Sequence, residues 1–314
     1  MSGQAQSAYR KVIVGLCHGA ADAATMRTAA EFAQLLGLDL HCLFIEDEAL
    51  LALAELPFAR EIRLPTHTWS PLTVDAVEAD IRQAVIRTRQ LLDEIIQEIG
   101  VPTEFEVLRG DPATCIAAVC QSGDIIVSAD HGPPTFPVTH SVTRLHAGAH
   151  ESATSVLLLP THLKPRRGPV VAVLTDAADP SLDMACRVAT SAKEDLVILL
   201  PEPAGSRAAD TAAAGAKNRA HALGQPQEHI SVRTIHGFLA EDVLRVLAHL
   251  QERLIVMTRA TSAATAASRI AAARGVPVLL FEPEAPAAQP TARKSRRKAS
   301  TIAESGSVGS SANS

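Results

Sequence analysis

The chain has 314 residues, of which 47% are hydrophobic, and a mean hydropathy of +0.13, so it can fill the cores of about two globular domains. Aromatic residues make up only 3%, so those cores must consist mainly of aliphatic side chains. The formal net charge of −5 gives the folded part no general affinity for nucleic acid, and no specific nucleic acid is expected as a partner.

Cysteine usage and the N-terminal sequence bear on the cellular compartment. The five cysteines lie in apolar segments and form no CxxC pair: Cys17, Cys42, Cys115, Cys120 and Cys186. This pattern predicts buried, reduced thiols. The N-terminal sequence has no apolar stretch long enough for a signal peptide, and no run approaches the roughly 18 apolar residues of a membrane span. We therefore expect a cytoplasmic protein without a membrane partner.

In the first half of the chain, the hydrophobic pattern switches repeatedly between the period of a strand and that of a helix. Strands are predicted at 11–16, 38–45, 103–108, 124–129 and 155–160, and helices at 22–37, 73–99, from Pro112 onward and around 140–150. Gly37 stands in the C-cap position of the first helix. Strands that alternate with helices predict a mostly parallel sheet covered on both faces.

The same order of elements then starts again. Residues 168–203 can be laid over 10–47, residues 230–258 over 103–129, and residues 275–283 over 154–160. This internal duplication predicts two tandem domains that pack against each other within one chain. The expected organisation is a flexible N-terminus (1–9), a first domain (10–160) with an insertion (46–72), a linker (161–168), a second domain (169–283) and a tail (284–314).

One segment of the first half resembles a known family. "RGDPATCIAAVCQSGDIIVSADHG" (109–132) and "HSVTRL" (140–145) are similar to the universal stress protein family, in which a Gly-Asp-Pro turn, a helix, an apolar strand and a glycine loop precede Gly-Ser-Val-Thr. The resemblance covers 10–283 in two copies. It implies two five-stranded, mostly parallel open-sheet α/β sandwiches of the adenine nucleotide alpha hydrolase-like type. It also implies that the last strands, "SVLLLP" and "VPVLLF", pair with each other.

The resemblance directs attention to the loop after the fourth strand. ATP-binding members of the family carry Gly-x2-Gly-x9-Gly-Ser/Thr, where glycines let the backbone approach the phosphates and a helix N-terminus supplies amides. Here Ala129 stands at the first glycine and His140 at the third, while Gly132 and Ser141 are kept. Seven residues separate Gly132 from His140, and three of them are prolines without an amide proton. The loop is therefore interpreted as eroded.

The second half departs further from the family pattern, because no glycine follows Thr258 until Gly275. It does keep the family's first-strand aspartate as Asp176, where the first half has Cys17. No tight ATP binding, and no other cofactor, is therefore expected. If ATP does bind, the resemblance implies that it contacts some of the following residues: Gly15, Cys17, Ser128, Ala129, His131, Gly132, His140, Ser141 and Asp176.

Catalytic roles find little support in the sequence. Asp111 precedes Pro112 at a predicted helix start, so it is interpreted as an N-cap. Ser141 lies near His131 and His140 but lacks the Gly-x-Ser-x-Gly elbow of a serine nucleophile. We assign no catalytic residue.

A metal site is a weaker alternative. Four histidines fall within twenty residues, and two of them are spaced to share one helix face: His131, His140, His146 and His150. Since no cysteine or carboxylate joins them at the usual ligand spacing, solvated histidines on a surface helix are expected instead.

The insertion 46–72 has no counterpart in the second half, and it contains the only tryptophan of the chain. Three readings are open. The insertion can be a local cap that buries Phe58 and Trp69, a surface for a protein partner that also uses Arg60 and Arg63, or a lid over a ligand crevice. The cap is favoured.

The tail 284–314 is rich in Ala, Ser and Pro and carries five cations within 293–298, which predicts a disordered, solubilising segment. The expected function of the whole chain is that of a non-enzymatic stress-response or regulatory binding module with a degenerate nucleotide site and protein partners, itself included. The alternatives are an ATP-binding switch, possibly a slow ATPase, that uses the first-half loop, and a metal-responsive protein that uses the histidine cluster.

Overall fold

The computed structural model describes residues 10–17, 23–63, 67–129, 140–152, 154–164, 167–202, 206–259 and 266–283. All of them belong to one compact unit that ends at Glu284. The N-terminus (1–9) and the tail (284–314) lie outside the described residues, so their predicted disorder stays a prediction. Within the described ranges, no helix combines the length and apolarity needed to cross a lipid bilayer.

The first half contains seven strands and five helices in the described ranges. In chain order these are β1 (Lys11–Cys17), α1 (Ala23–Leu36), β2 (Asp39–Asp47), α2 (Glu48–Ala54), β3 (Arg60–Arg63), β4 (Thr68–Pro71), α3 (Val74–Ile99), β5 (Thr103–Gly110), α4 (Pro112–Val119), β6 (Ile125–Ala129), α5 (His140–Glu151) and β7 (Ser155–Leu159). The strands and long helices predicted from periodicity are present within a few residues of their expected bounds.

The second half repeats the alternation. Its elements are β8 (Val170–Val173), α6 (Ser181–Ala192), β9 (Leu196–Pro201), α7 (Ser206–Ala222), β10 (Ile230–Ile235), α8 (Ala240–Leu247), β11 (Leu254–Thr258), α9 (Ala267–Arg274) and β12 (Val278–Phe281). A single 3-10 turn, Gln227–His229, precedes β10.

Ten strands form one sheet in the order β10-β9-β8-β11-β12-β7-β6-β1-β2-β5. Within each half all neighbours are parallel, and both halves have the same strand order. The halves meet where β7 and β12 pair antiparallel, with Leu157 opposite Leu279. The predicted α/β class with a mostly parallel sheet is confirmed. The linker 161–168 remains the predicted boundary between two domains.

Helices cover both faces of this sheet. One core contains buried side chains of α1, α3, α6 and α7, and the other contains those of α4, α5, α8 and α9. On the first face α1 and α6 contact each other across the junction of the two halves, where the Arg187 guanidinium donates to the Leu36 carbonyl at 3.3 Å. The long helix α3 starts at the Thr73 N-cap and ends at Gly100, whose φ of 76° is readily adopted only by glycine.

The insertion does not bury its aromatic side chains, so that part of the cap expectation is wrong. Phe58 is 75% exposed and Trp69 is 63% exposed. The reason is that β3 and β4 form a two-stranded sheet separate from the ten-stranded one in the described structure, with Ile62 opposite Trp69. Other residues of the insertion do pack against the main core, namely Leu50, Leu51, Ala54 and Leu72.

Candidate functional site

In an open α/β sheet a ligand binds at the carboxyl ends of the strands where the strand order reverses. The sheet has two such crevices, one between β1 and β6 in the first half and one between β8 and β11 in the second. The residues around them determine what each crevice can hold.

In the first half, helix α5 packs closely on the end of β1. A Cβ atom added to Gly15 would lie 2.7 Å from Leu145 Cδ1, so glycine at this position allows the close approach. The cavity left between Gly15, Ser128, Leu145 and their neighbours measures about 20 Å³. The space between these residues holds about one water molecule.

At the start of α5, Ser141 makes an internal contact in place of a ligand contact. Its hydroxyl donates to the carboxylate of Asp47, which also accepts from the Ala49 amide at 2.9 Å and caps α2. Both Ser141 and Asp47 are buried. Cys17 is fully buried nearby, and its burial, together with the negative charge of Asp47, raises the pKa of the thiol to about 12. The thiol is therefore protonated and unreactive at neutral pH.

The cysteines were expected to be reduced and buried. All five are free, and four of them are buried, while Cys120 is partly exposed.

Asp111 caps helix α4, as its position before Pro112 predicts. Its carboxylate accepts from the Thr114 amide at 3.0 Å. Arg144 of α5 adds a bidentate contact at 2.8 and 2.7 Å. The Arg144 side chain and the cap hydrogen bonds hold the pKa of Asp111 well below its usual range. The aspartate therefore joins α4 to α5, a role that the sequence did not indicate because Arg144 is 33 residues away.

Two of the four candidate metal ligands can be located. His146 Nδ1 lies 2.6 Å from Ser128 Oγ, and the His146 and His150 rings are 4.4 Å apart. His150 Nε2 is buried without a hydrogen-bond partner in the described structure. Burial, His146 and Arg259 lower the pKa of His150 to about 4, so it is neutral at pH 7. These two histidines are partly buried, whereas the sequence predicted solvated histidines on a surface helix.

The other two candidate ligands cannot be located. His131 and Gly132 lie outside the described residues, as does the side chain of His140. Where side chains are described, no group of three or more His, Cys, Asp or Glu is arranged to hold a metal ion.

In the second half, Asp176 is an exposed turn residue whose Oδ1 accepts from the Ala178 amide at 2.7 Å. The buried acid of this crevice is Asp179, which is only 3% exposed. Its Oδ2 accepts from the Thr175 amide and hydroxyl, and its Oδ1 from the amide and hydroxyl of Ser181. The Thr258 hydroxyl at the end of β11 donates to Oδ1 at 2.6 Å.

These contacts keep Asp179 charged inside the protein. Burial alone would raise the pKa of its carboxyl, but the hydrogen bonds from Thr175, Thr258 and Ser181 outweigh burial and lower it. Arg219 of α7 closes the same turn by donating to the carbonyls of Ala177 and Asp179. The carboxylate thus bridges β8 and β11 at the point where a ligand would enter the second half.

The candidate partner-surface residues lie on or just before the hairpin formed by β3 and β4. Phe58, Arg60 and Trp69 are exposed. Arg63 ends β3, and its side chain lies outside the described residues.

Comparisons with known proteins bear on the fold. No protein-family model and no curated protein matches the sequence. A universal stress protein from Archaeoglobus fulgidus aligns over 88% of this chain and 98% of its own, with a TM-score of 0.55 and 16% identity. The chain has the universal stress protein fold. At such identity the likeness describes the fold alone.

Two further solved structures have a similar fold. A putative universal stress protein from Pseudomonas aeruginosa matches with a TM-score of 0.50 and 16% identity, over 88% of this chain and 95% of its own. The cytoplasmic domain of a prokaryotic cation chloride cotransporter has a TM-score of 0.50 at 12% identity, over 87% of this chain and 95% of its own. Since the chain resembles both a universal stress protein and part of a cotransporter, the shared fold does not by itself indicate one function.

Proposed function

We propose that this protein is a non-enzymatic stress-response or regulatory binding module of the universal stress protein type that does not bind ATP tightly. The observation that carries the proposal is that each half has a buried carboxylate of the chain itself at the carboxyl edge of the sheet, Asp47 at the end of β2 and Asp179 after β8. Each carboxylate accepts hydrogen bonds from hydroxyl groups at the carboxyl edge of the sheet.

The charge of these carboxylates and their hydrogen bonds to the hydroxyl groups both oppose a bound phosphate. The Ser141 hydroxyl, which would donate to a phosphate, donates to Asp47 instead. A phosphate beside either carboxylate would also meet a like charge, and two such charges 4 Å apart repel by roughly 4 kcal/mol at the effective dielectric of a protein surface.

Calorimetric titration of the full, nucleotide-free chain with magnesium ATP tests the proposal. We expect no saturable heat for the wild type. Asp47→Asn removes the charge beside Ser141 and is the variant most suited to regain binding. Micromolar binding by the wild type, abolished by Gly132→Val, would overturn the proposal in favour of an ATP-binding switch.

The exposed hairpin supports a second part of the proposal, that the module binds protein partners through the insertion. Phe58, Ile62 and Trp69 are all at least 49% exposed. Ile62 and Trp69 lie opposite each other on the paired strands, and apolar side chains exposed side by side are typical of protein-protein interfaces. We propose a second copy of this chain as the partner to be tested first.

Sedimentation analysis over a concentration series, with Trp69 fluorescence as a reporter, tests this surface. Trp69 is the only tryptophan, so a blue shift of emission on association would locate the interface. We expect Phe58→Ser to weaken association, whereas Leu223→Ser, which alters an apolar residue 42% exposed in the second half, should not. A monomer with unchanged emission at every concentration would exclude self-association through the hairpin.

A further inference from the structure

A larger cavity lies at the junction of the two halves, on the face covered by α1 and α6. Its volume is about 230 Å³. The floor is apolar and comes from both halves: Phe32 and Leu35 of α1, Val188 of α6, Leu254 at the start of β11, and Pro277 before β12. It shares no lining residue with the small cavity beside Gly15. The two cavities are therefore separate.

One wall of the cavity is fixed by a backbone contact. The Lys164 amide donates to the Gly275 carbonyl at 2.8 Å. Gly275 has a φ of 67°, and a Cβ atom there would lie 2.9 Å from the His162 carbonyl oxygen. The Lys164 Cγ and Cδ atoms would each lie 3.3 Å from the same added Cβ atom. The segment after β7 is thus packed directly on Gly275, and this packing holds Lys164 in the cavity wall.

The charged residues that line the cavity are mostly cationic: Arg27, Lys164 and Arg253, against the single acid Glu31. Arg27 donates to Glu98 at 2.6 Å, and Arg253 lies 3.9 Å from Glu194. Lys164 has no ion pair within the described part of the chain. An apolar floor beside an ammonium group that makes no ion pair in the described structure is complementary to a ligand with an apolar body and an anionic head.

We propose that this cavity binds a small carboxylic acid with an apolar body, either a medium-chain or an aromatic acid, with its carboxylate on Lys164. An apolar cavity of about 150 Å³ holds benzene, so 230 Å³ accommodates a body of somewhat larger size. Because the floor combines residues of both halves, the ligand binds only when the halves are packed together.

Titration calorimetry of the full chain with octanoate and with 3-phenylpropanoate tests the inference and separates the two kinds of acid. Octylamine and octanol serve as probes of the same length with a cationic and a neutral head. We expect saturable binding of at least one acid, with one site per chain, and no comparable binding of octylamine.

Two variants, Lys164→Met and Thr28→Phe, test whether the acid binds in the cavity. Lys164→Met keeps the apolar stem but removes the charge, so the carboxylate loses a charged hydrogen-bond donor and we expect affinity to fall roughly tenfold or more. Lys217→Met, the same change on α7, is the matched control. Thr28→Phe should reduce binding by filling the cavity. Failure of both acids to bind, equal binding of octanoate and octylamine, or equal effects of the two lysine variants would overturn the inference.

Discussion

Among single residues, Asp179 is the one at which the stabilising effect of a buried carboxylate can be tested most directly. Each of its carboxylate oxygens accepts a hydrogen bond from one backbone amide: Oδ1 from the amide of Ser181 and Oδ2 from the amide of Thr175. In Asp179→Asn the side-chain amide nitrogen must therefore face one of these donors, whichever way it turns. We expect unfolding free energy to fall by about 2–3 kcal/mol at neutral pH, measured by urea denaturation. Asp176→Asn is the control, because an asparagine oxygen can still accept from Ala178, and a similar loss in both variants would contradict this account.

The same residue predicts a pH dependence. The pKa of Asp179 is lower in the folded protein than its ordinary value, so the unfolded chain binds more protons in the acidic range. The stabilisation is complete above the unfolded pKa of about 4 and is lost as the pH falls through the folded pKa. In urea titrations at decreasing pH, the stability difference between wild type and Asp179→Asn should narrow below that pH. A constant difference would show that the charge of Asp179 is not what stabilises the turn.

At this scale the sequence predicts local contacts well and distant ones poorly. The N-cap role of Asp111 could be predicted because Asp111 stands at the start of the helix, three residues before the amide from which it accepts a hydrogen bond. Ser141 and Asp47 are 94 residues apart, and Asp179 and Thr258 are 79 apart. Only the packing of the strands brings these pairs together, so the sequence pointed to the exposed Asp176 and missed the buried Asp179.

At the scale of elements, the contact between α4 and α5 depends on Gly148. A Cβ atom at this position would lie 2.7 Å from Ala113 Cα, which is backbone and cannot turn away. We expect Gly148→Ala to force the helices apart and to destabilise the protein by about 1–3 kcal/mol in urea denaturation. In Gly215→Ala on α7 the nearest atom is 3.7 Å away, so helix propensity should stabilise the protein by about 0.5–1 kcal/mol. A stabilising Gly148→Ala would contradict the close approach.

Elements with a clear period were predictable, and the hairpin was not. Helix α3 combines an N-cap at Thr73, a C-cap at Gly100 and an apolar face with Val77, Ile81 and Leu92 buried, all of which can be read from the sequence. Strands β3 and β4 have four residues each and, among the described strands, pair with each other alone. Such short strands carry little periodic signal, so the exposure of their side chains had to come from the structure.

At the scale of the whole molecule, one sheet runs through both halves, and Arg259 strengthens the junction. The Arg259 guanidinium, which belongs to the second half, donates to the carbonyls of His150, Ser152 and Thr154 in the first. Next to it, the Glu282 amide donates to Ser155 Oγ at 3.0 Å. The arginine side chain is 17% exposed, so these carbonyls have limited access to water as an alternative partner. The repeated pattern in the sequence indicated two halves but could not indicate this contact.

These contacts predict that the two halves unfold together. Amide hydrogen exchange in urea, followed by mass spectrometry of peptides from each half, and far-ultraviolet circular dichroism of all helices should give the same unfolding midpoint for the wild type. Arg259→Met leaves the three carbonyls without their donor and should lower both midpoints equally, by about 2 kcal/mol in unfolding free energy. Arg233→Met is the control, because in the described part of the chain the Arg233 guanidinium donates to the Val246 carbonyl within the second half, so the change should have little effect. Separate midpoints in the wild type would mean that the β7–β12 junction does not couple the halves, and a ligand site built from both halves would then be far less stable than the structure implies.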